Sequence, residues 1–144
     1  MACFITLLGS DALVQGDQSW PSFQGPRGSG ATTERLPQEL GGKNISWERM
    51  LPGYGLSTPV VHSNKVFITC SSGPEQDRLR VLCIDGTKGQ SLWERQFWAT
   101  GRTMCHEKTS VAAPTPCTDG RRIYAIFSSN DLVCLDFEGN LIWL

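Results

Sequence analysis

The hydrophobic residues of this chain fall in short runs, and polar and turn-forming residues separate one run from the next. Runs of this length, rich in Val, Ile, Leu, Phe and Trp, predict β-strands, and no helix is predicted. One strand is predicted at Ile45–Met50. Two sets of four strands follow, at residues 57–61, 65–70, 79–85 and 90–95 and at residues 113–117, 122–127, 131–136 and 140–144.

The two sets repeat the same order of residues. Val81-Leu82-Cys83-Ile84-Asp85 matches Leu132-Val133-Cys134-Leu135-Asp136, and each segment precedes a Gly-containing turn and a strand with Trp. Trp47, Trp93 and Trp143 are separated by 46 and 50 residues. A period of about 40 to 50 residues is typical of a four-stranded propeller blade. The pattern therefore predicts an all-β propeller of four-stranded antiparallel blades, with about two blades and one extra strand present.

The repeated tryptophans and aspartates have structural interpretations. A Trp ring near the end of an outer strand can wedge between neighbouring blades and bury about 150 to 250 Å² while its N–H reaches a backbone acceptor. We therefore expect Trp47, Trp93 and Trp143 to dock one blade on another. Asp85 and Asp136 precede turns, where we expect them to accept backbone hydrogen bonds.

The segment Val81–Trp93 resembles the propeller repeat of the pyrroloquinoline-quinone (PQQ) type, with a hydrophobic strand, an Asp, a Gly-bearing turn and a closing Trp. The blocks Thr109–Pro116 and Ser128–Asp136 are similar to PQQ-like propeller proteins of planctomycete-type bacteria, within the quinoprotein alcohol dehydrogenase-like superfamily. Trp20–Gly30 is similar to the mature start of many such proteins. The likeness covers roughly residues 20–144.

This resemblance implies a division of the chain into three parts. Residues 1–19 are interpreted as a signal-peptide remnant, which implies export to the periplasm or cell envelope, although no positive residues precede the apolar stretch. Residues 20–43 form an N-terminal segment, and residues 44–144 form part of the propeller, with a strand at 44–50 and blades at 56–97 and 111–144. The chain is expected to be a fragment, with the remaining blades, including the partner strands of Ile45–Met50, outside it.

Composition and charge are those of an ordinary globular β protein, with 40% hydrophobic and 19% charged residues and a net charge of −1. Thirteen basic and fourteen acidic residues, without a basic run, give no electrostatic footprint for nucleic acid. No apolar stretch approaches the roughly 18 residues of a membrane span, so no transmembrane segment is predicted.

Two long loops are predicted on the same side of the blades, at Ser71–Arg78 and Gln96–Val111. In an up-and-down blade, the loop between the second and third strands and the connector to the next blade emerge together. Long loops on a rigid scaffold are where binding residues concentrate. This rim supplies the candidate binding residues, which are Arg78, Arg102, Cys105, His106, Glu107 and Lys108.

The cysteines and histidines leave one question open. Cys83 and Cys134 lie inside apolar strands, where Cys behaves as a small buried hydrophobe. Cys105 and His106 fit either a metal or reactive-thiol site or a packed Cys beside a His that hydrogen-bonds a neighbouring loop. No CxxC pair is present, and no metal-ligand set or catalytic residue is assigned.

The resemblance leaves two functional classes. The first is a non-catalytic binding or scaffolding module of the cell envelope, similar to the outer-membrane assembly propeller lipoproteins, with a protein or polysaccharide bound at the loop rim. The alternative is a fragment of a PQQ-dependent quinoprotein dehydrogenase that oxidises alcohols or sugars, with PQQ and calcium held only by the full-length protein. Such dehydrogenases carry an adjacent-cysteine disulfide, and this chain has no Cys-Cys pair. No calcium-binding or catalytic carboxylate of that family can be matched here.

Overall fold

A computed structural model describes residues 4–8, 19–33, 35, 37–39, 41 and 43–144. These residues form ten β-strands and no helix, which confirms the all-β prediction. The strands are β1 (Phe4–Leu8), β2 (Ile45–Met50), β3 (Val60–His62), β4 (Lys65–Ser72), β5 (Arg78–Asp85), β6 (Ser91–Trp98), β7 (Cys117–Thr118), β8 (Arg122–Ile126), β9 (Leu132–Asp136) and β10 (Leu141–Trp143).

The strands form three separate antiparallel sheets. β1 and β2 make an N-terminal sheet, β3 to β6 make the first sheet, and β7 to β10 make the second sheet. Each four-stranded sheet keeps its strands in chain order, as the sequence predicts. β3 and β7 begin later than predicted because Pro59 and Pro116 have no N–H to donate to a sheet ladder.

Strand β2 has a partner that sequence reasoning misses. The sequence pattern places its partner strands outside the chain, whereas the structure pairs it with β1, from Phe4 opposite Met50 to Leu8 opposite Ile45. That expectation is wrong because an apolar run such as Phe4–Leu8 suits a strand as well as a signal-peptide core. Residues 1–3 and 9–18 of the predicted remnant lie outside the described residues, and export stays a prediction.

The hairpin turns have the chemistry that the sequence predicts. Ser63 and Asn64 have φ angles of 47° and 62°, the left-handed conformation that both central residues of a type I′ turn require. Asp85 Oδ1 accepts the backbone N–H groups of Thr87 and Lys88 at 2.9 and 2.8 Å. The carboxylate of Asp136 does the same for Glu138 and Asn140, at 3.0 and 2.7 Å. The predicted structural role of both aspartates is confirmed.

The first sheet is buried on both faces, because successive side chains of a strand point to opposite sides. One face packs with Trp47 and Leu51 of the N-terminal region in a cluster that contains Val66, Ile68, Cys70, Leu82 and Ile84. The opposite face packs against the second sheet in a cluster that contains Val60, Phe67, Leu79, Val81, Cys83, Val111, Ala112, Ile123, Ala125, Phe127, Val133 and Leu135.

Each of two tryptophans binds a turn of the sheet that follows it in the chain. The indole N–H of Trp47 donates to the Gly86 carbonyl, and that of Trp93 donates to the Phe137 carbonyl, both at 2.8 Å. A Cβ at Gly89 or Gly139 would lie 2.6 or 2.7 Å from the Trp47 or Trp93 ring, respectively. Only Gly lets these turns approach the rings so closely. We call this contact the Trp-turn clasp.

An arginine two residues after each tryptophan completes the clasp. Arg49 donates to the Gly89 carbonyl at 3.0 Å, and Arg95 donates to the Gly139 carbonyl at 2.6 Å. Sequence reasoning overlooks these residues, although the triplet Trp-Glu-Arg occurs at both 47–49 and 93–95. Trp143 differs from the other two tryptophans because it is 41% exposed.

Replacement of Trp93 by Ala should lower the free energy of unfolding by about 3 to 5 kcal/mol, since it removes a packed ring and leaves the Phe137 carbonyl without its donor. Urea denaturation measures this loss. Trp98→Ala is the matched control, because Trp98 is 59% exposed, and should cost about 1 kcal/mol or less. A loss below about 1 kcal/mol for Trp93→Ala would contradict the clasp.

Gly139→Ala tests the approach of the turn to the ring. Gly139 has a φ of +83° and lies under Trp93, whereas Gly28 has a φ of +63° and nothing within 4 Å of its Cβ position. Each substitution should lower the free energy of unfolding by about 1 to 2 kcal/mol, because Ala is strained in the left-handed conformation. Gly139→Ala should cost about 1 to 3 kcal/mol more, because it also displaces the ring. Equal losses of stability for Gly139→Ala and Gly28→Ala, measured by thermal or urea unfolding, would show that the packing of the Trp93 ring does not require Gly at position 139.

Candidate functional site

The connector, residues 99–116, links the two four-stranded sheets and contains no strand. It meets the β4–β5 loop, residues 73–77, at one end of the sheets. The Ala99 N–H donates to the Asp77 carbonyl at 2.8 Å, and the Val111 N–H donates to Gln76 Oε1 at 3.1 Å. The prediction that the two loops share one side is confirmed. The β4–β5 loop is shorter than predicted because β4 and β5 extend further toward this end, whereas the connector begins and ends later than predicted because β6 runs to Trp98 and β7 begins at Cys117.

Buried hydroxyl groups anchor the C-terminal part of the connector. Ser71 and Ser110 are fully buried, and each donates to the Tyr54 carbonyl at 3.2 Å. Ser71 shares its one hydroxyl proton between this carbonyl and Gln76 Oε1, which lies 2.9 Å from its Oγ. Gln76 holds this geometry with a φ of 54°, a left-handed conformation that is uncommon for a residue other than Gly. The network fixes the connector to the first sheet.

A buried carboxylate anchors the N-terminal part of the connector. Asp131 accepts the Ser129 hydroxyl at 2.6 Å, the Thr100 hydroxyl at 2.5 Å and the Thr100 N–H at 3.1 Å. Burial raises the pKa of Asp131, but these hydrogen bonds outweigh it and hold the pKa below its ordinary value. Gly101 passes so close to Ser129 that a Cβ would overlap the Ser129 carbonyl oxygen. The connector is therefore tied to the second sheet as well.

Between the two anchors, residues 102–108 form an exposed segment that we call the tip. Arg102, Met104, His106, Glu107 and Lys108 are exposed, with Met104 at 76%. His106 shapes the tip locally, because its Nδ1 accepts the Lys108 N–H at 3.1 Å and its carbonyl accepts the Thr109 N–H at 2.9 Å. Arg102 contacts the Met104 sulfur at 3.0 Å. The tip presents cationic, anionic and apolar groups on a fixed base.

Cys105 points inward from the tip, where it packs on the cluster between the two sheets and receives a contact from Gln76 Nε2 at 3.5 Å. His106 bonds its own turn and not a neighbouring loop. This geometry favours the packed-Cys interpretation over a metal or thiol site. His62, at the opposite end, contacts Ser19 at 3.2 Å. Across the described ranges, no three His, Cys, Asp or Glu residues group closely enough to hold a metal ion.

Two further thiols, those of Cys83 and Cys134, are fully buried in the sheets. Burial raises the pKa of Cys83 to about 12, and it also raises the pKa values of Cys134 and Cys117. A thiol with a raised pKa has little thiolate at neutral pH, and the thiolate is the nucleophile. The buried thiols of Cys83 and Cys134 are therefore poor nucleophiles, whereas Cys117 is exposed.

Arg78 lies on β5 and packs on a tryptophan that sequence reasoning leaves out. Its guanidinium carbon lies 5.4 Å from the centre of the Trp98 ring, a cation–π distance. Trp98 ends β6 immediately before the connector and falls outside the period of 46 and 50 residues that Trp47, Trp93 and Trp143 follow. That departure from the repeat is the sequence signal that separates Trp98 from the structural tryptophans.

No family model matches this chain, and no curated protein matches it either. Among the described residues, no helix is long and apolar enough to cross a membrane.

Asp131→Asn should lower the free energy of unfolding at pH 7 by about 1.5 to 3 kcal/mol, since hydrogen bonds to a charged group are lost. Because the folded pKa lies below its ordinary value, the contribution is complete above about pH 5 and disappears as the pH falls through the folded pKa, below about 4. Urea unfolding at several pH values measures the difference. Glu107→Gln, on the exposed tip, is the control and should change stability by no more than about 0.5 kcal/mol. An Asp131 effect that is independent of pH down to about 3 would contradict the ionised anchor.

Proposed function

We propose that this chain is part of a PQQ-like β-propeller, in which the first and second sheets are neighbouring blades. The repeated Trp-turn clasp supports this assignment. In both instances a strand with Trp-Glu-Arg binds the Gly-containing turn of the sheet that follows, through the same three kinds of contact. A contact repeated at equivalent positions is how repeat architectures join one unit to the next.

We infer that the chain is a non-catalytic binding or scaffolding module of the cell envelope and that the tip contacts its partner. The observation that carries this inference is the combination of an exposed tip with two buried anchors, one at Ser110 and one at Asp131. When a rigid scaffold holds a loop in place, the residues of that loop lose little conformational entropy on binding. Because both ends of the connector are anchored, the exposed residues of the tip are held in position before a partner binds.

The side chains of the tip indicate the chemistry of the partner. Arg102 and Lys108 provide cationic donors, and Glu107 and His106 provide further polar groups. Trp98, which precedes the connector, adds an exposed aromatic ring beside the Arg78 guanidinium. Cations next to an aromatic ring suit a polysaccharide with acidic groups or an acidic protein surface.

The described residues do not fit a site for PQQ with calcium. The chain has no adjacent cysteine pair. The Asp131 carboxylate is already occupied by hydrogen bonds from Ser129 and Thr100. No group of three acidic, His or Cys side chains is present in the described part of the chain. No catalytic step is therefore assigned to the quinone.

Binding to a panel of purified acidic and neutral envelope polysaccharides, measured by glycan microarray and then by calorimetry, tests the proposal. The Arg102→Ser, Lys108→Ser double variant should bind at least about tenfold more weakly, because each charged hydrogen bond is worth roughly 1.5 to 3 kcal/mol. The matched control is Lys88→Ser, Arg121→Ser, which removes two exposed cations from turns at the opposite end. The control should keep the affinity of the unchanged chain.

Equal weakening in both double variants would show nonspecific charge attraction and would reject the tip as the site. The same protein is also titrated with PQQ and Ca²⁺ by absorbance. Saturable PQQ binding, with reduction of a dye by alcohols or sugars, would reject the binding-module proposal and support the dehydrogenase alternative.

A further inference from the structure

Met104 is the most exposed large apolar residue in the described part of the chain, at 76%. Its sulfur lies 3.0 Å from Nη2 of Arg102, so this apolar side chain ends on a cationic donor of the tip. A thioether sulfur is a weak hydrogen-bond acceptor, and the contact therefore leaves the guanidinium open to a stronger acceptor. Neither of the two ion pairs within the described residues includes Arg102.

Oxidation by hydrogen peroxide would convert this weak contact into a strong one. A lone pair of the Met104 sulfur attacks the peroxide, and an S–O bond forms as the O–O bond breaks. The departing hydroxide takes the proton of the transferred hydroxyl group and becomes water, so the sulfur loses two electrons and the peroxide gains them. The product is a polar methionine sulfoxide. Its oxygen forms on a sulfur that already contacts Arg102, and it can accept a charge-assisted hydrogen bond from the guanidinium.

We propose that Met104 is an oxidation site through which peroxide weakens binding at the tip. In the reduced chain, Arg102 offers its donors to an acidic partner, and in the oxidised chain the Met104 sulfoxide occupies them. The change is confined to the tip, because the anchors at Ser110 and Asp131 are buried below it. Methionine sulfoxide reductases reduce the sulfoxide again, so the modification is reversible. Regulation of this kind rests on the proposed binding role of the tip.

Met50 provides a comparison within the same chain. It lies on β2 and is 60% exposed, so hydrogen peroxide reaches its sulfur as well. Met50 is outside the tip, whereas the sulfur of Met104 contacts a cation of the candidate site. Accessibility to the oxidant is therefore common to both residues, and only oxidation of Met104 places a new acceptor beside Arg102. Oxidation of Met50 should leave the tip unchanged.

Calorimetry with polygalacturonate, an acidic polysaccharide with a carboxylate on every sugar, tests the proposal before and after treatment with hydrogen peroxide. The chains compared are the unchanged one, Met50→Leu, Met104→Leu and Arg102→Ser. In the unchanged chain and in Met50→Leu, oxidation should weaken binding by about two- to tenfold, because one internal hydrogen bond competes with the partner for Arg102. In Met104→Leu and in Arg102→Ser, peroxide should leave the affinity of each chain as it was, since the sulfur or its guanidinium partner is missing.

Reversal of the oxidation separates Met104 from the cysteines. Cys117 is exposed, and peroxide also oxidises thiols. Treatment with methionine sulfoxide reductases A and B, which reduce the two sulfoxide epimers, should restore the original affinity. Dithiothreitol alone reduces disulfides and sulfenic acids but not sulfoxides, and it should not restore the affinity. Full recovery with dithiothreitol alone would assign the effect to a cysteine and overturn the inference.

A measurement without any ligand tests the contact between the sulfoxide and the guanidinium. The side-chain Nε–H signal of Arg102 in ¹H–¹⁵N NMR spectra is assigned by its loss in Arg102→Ser. On oxidation this signal should shift in the unchanged chain and stay in place in Met104→Leu. Peptide mass spectrometry shows which sulfur carries the oxygen. An unshifted Arg102 signal in a chain with oxidised Met104 would contradict the proposal.

The binding data can also overturn the inference. An equal loss of affinity in Met104→Leu would assign the effect to another oxidised group. An equal loss in Arg102→Ser would show that the Met104 side chain itself, and not the capture of Arg102, weakens binding. Absence of polysaccharide binding together with a shifted Arg102 signal would reject the binding role of the tip and still support oxidation of Met104 as the event that engages Arg102.

Discussion

The Trp-turn clasp is the contact on which the arrangement of the sheets depends. Hydrophobic burial alone is non-directional and would let two apolar sheet faces slide over each other. The indole N–H of Trp93 and the guanidinium of Arg95 add two directional bonds to carbonyls of one turn. Because these carbonyls belong to a turn with a fixed backbone, the second sheet has one position against the first. The buried cluster between the sheets can then pack in a single register.

The clasp also explains where Gly is required and where it is not. Gly89 and Gly139 combine a positive φ with a ring within 3 Å of the Cβ position, so both backbone conformation and space exclude a side chain. At the other end, Gly101 is likewise required by a close approach, to the Ser129 carbonyl oxygen, but other positions there are not Gly. There Asn130 and Gln76 take left-handed conformations without being Gly, because hydrogen bonds of the surrounding loops hold them.

Local features of the fold could be predicted from the sequence, and long-range ones could not. The period of the strands, the type I′ turn at Ser63 and Asn64 and the capping by Asp85 depend on neighbours in the chain, and the pattern indicates them. The partner of β2 lies about 40 residues away, and no local pattern specifies it. In the candidate site, the exposed side chains and the shared side of the two loops followed from topology. The Asp131 anchor was missed because its partner Thr100 lies 31 residues away in the sequence, and no local pattern specifies the contact.

The two ends of the sheets differ in structure. Both clasps lie at the end that carries the tight turns, whereas the connector and the β4–β5 loop lie at the other end, since neighbouring strands run in opposite directions. No residue of the tip takes part in a clasp. The anchors at Ser110 and Asp131 are buried below the tip. Substitutions at Arg102 or Lys108 therefore alter surface chemistry without disturbing sheet docking. Under the binding role that we propose, such a scaffold changes its partner through the tip while one repeated contact maintains its architecture.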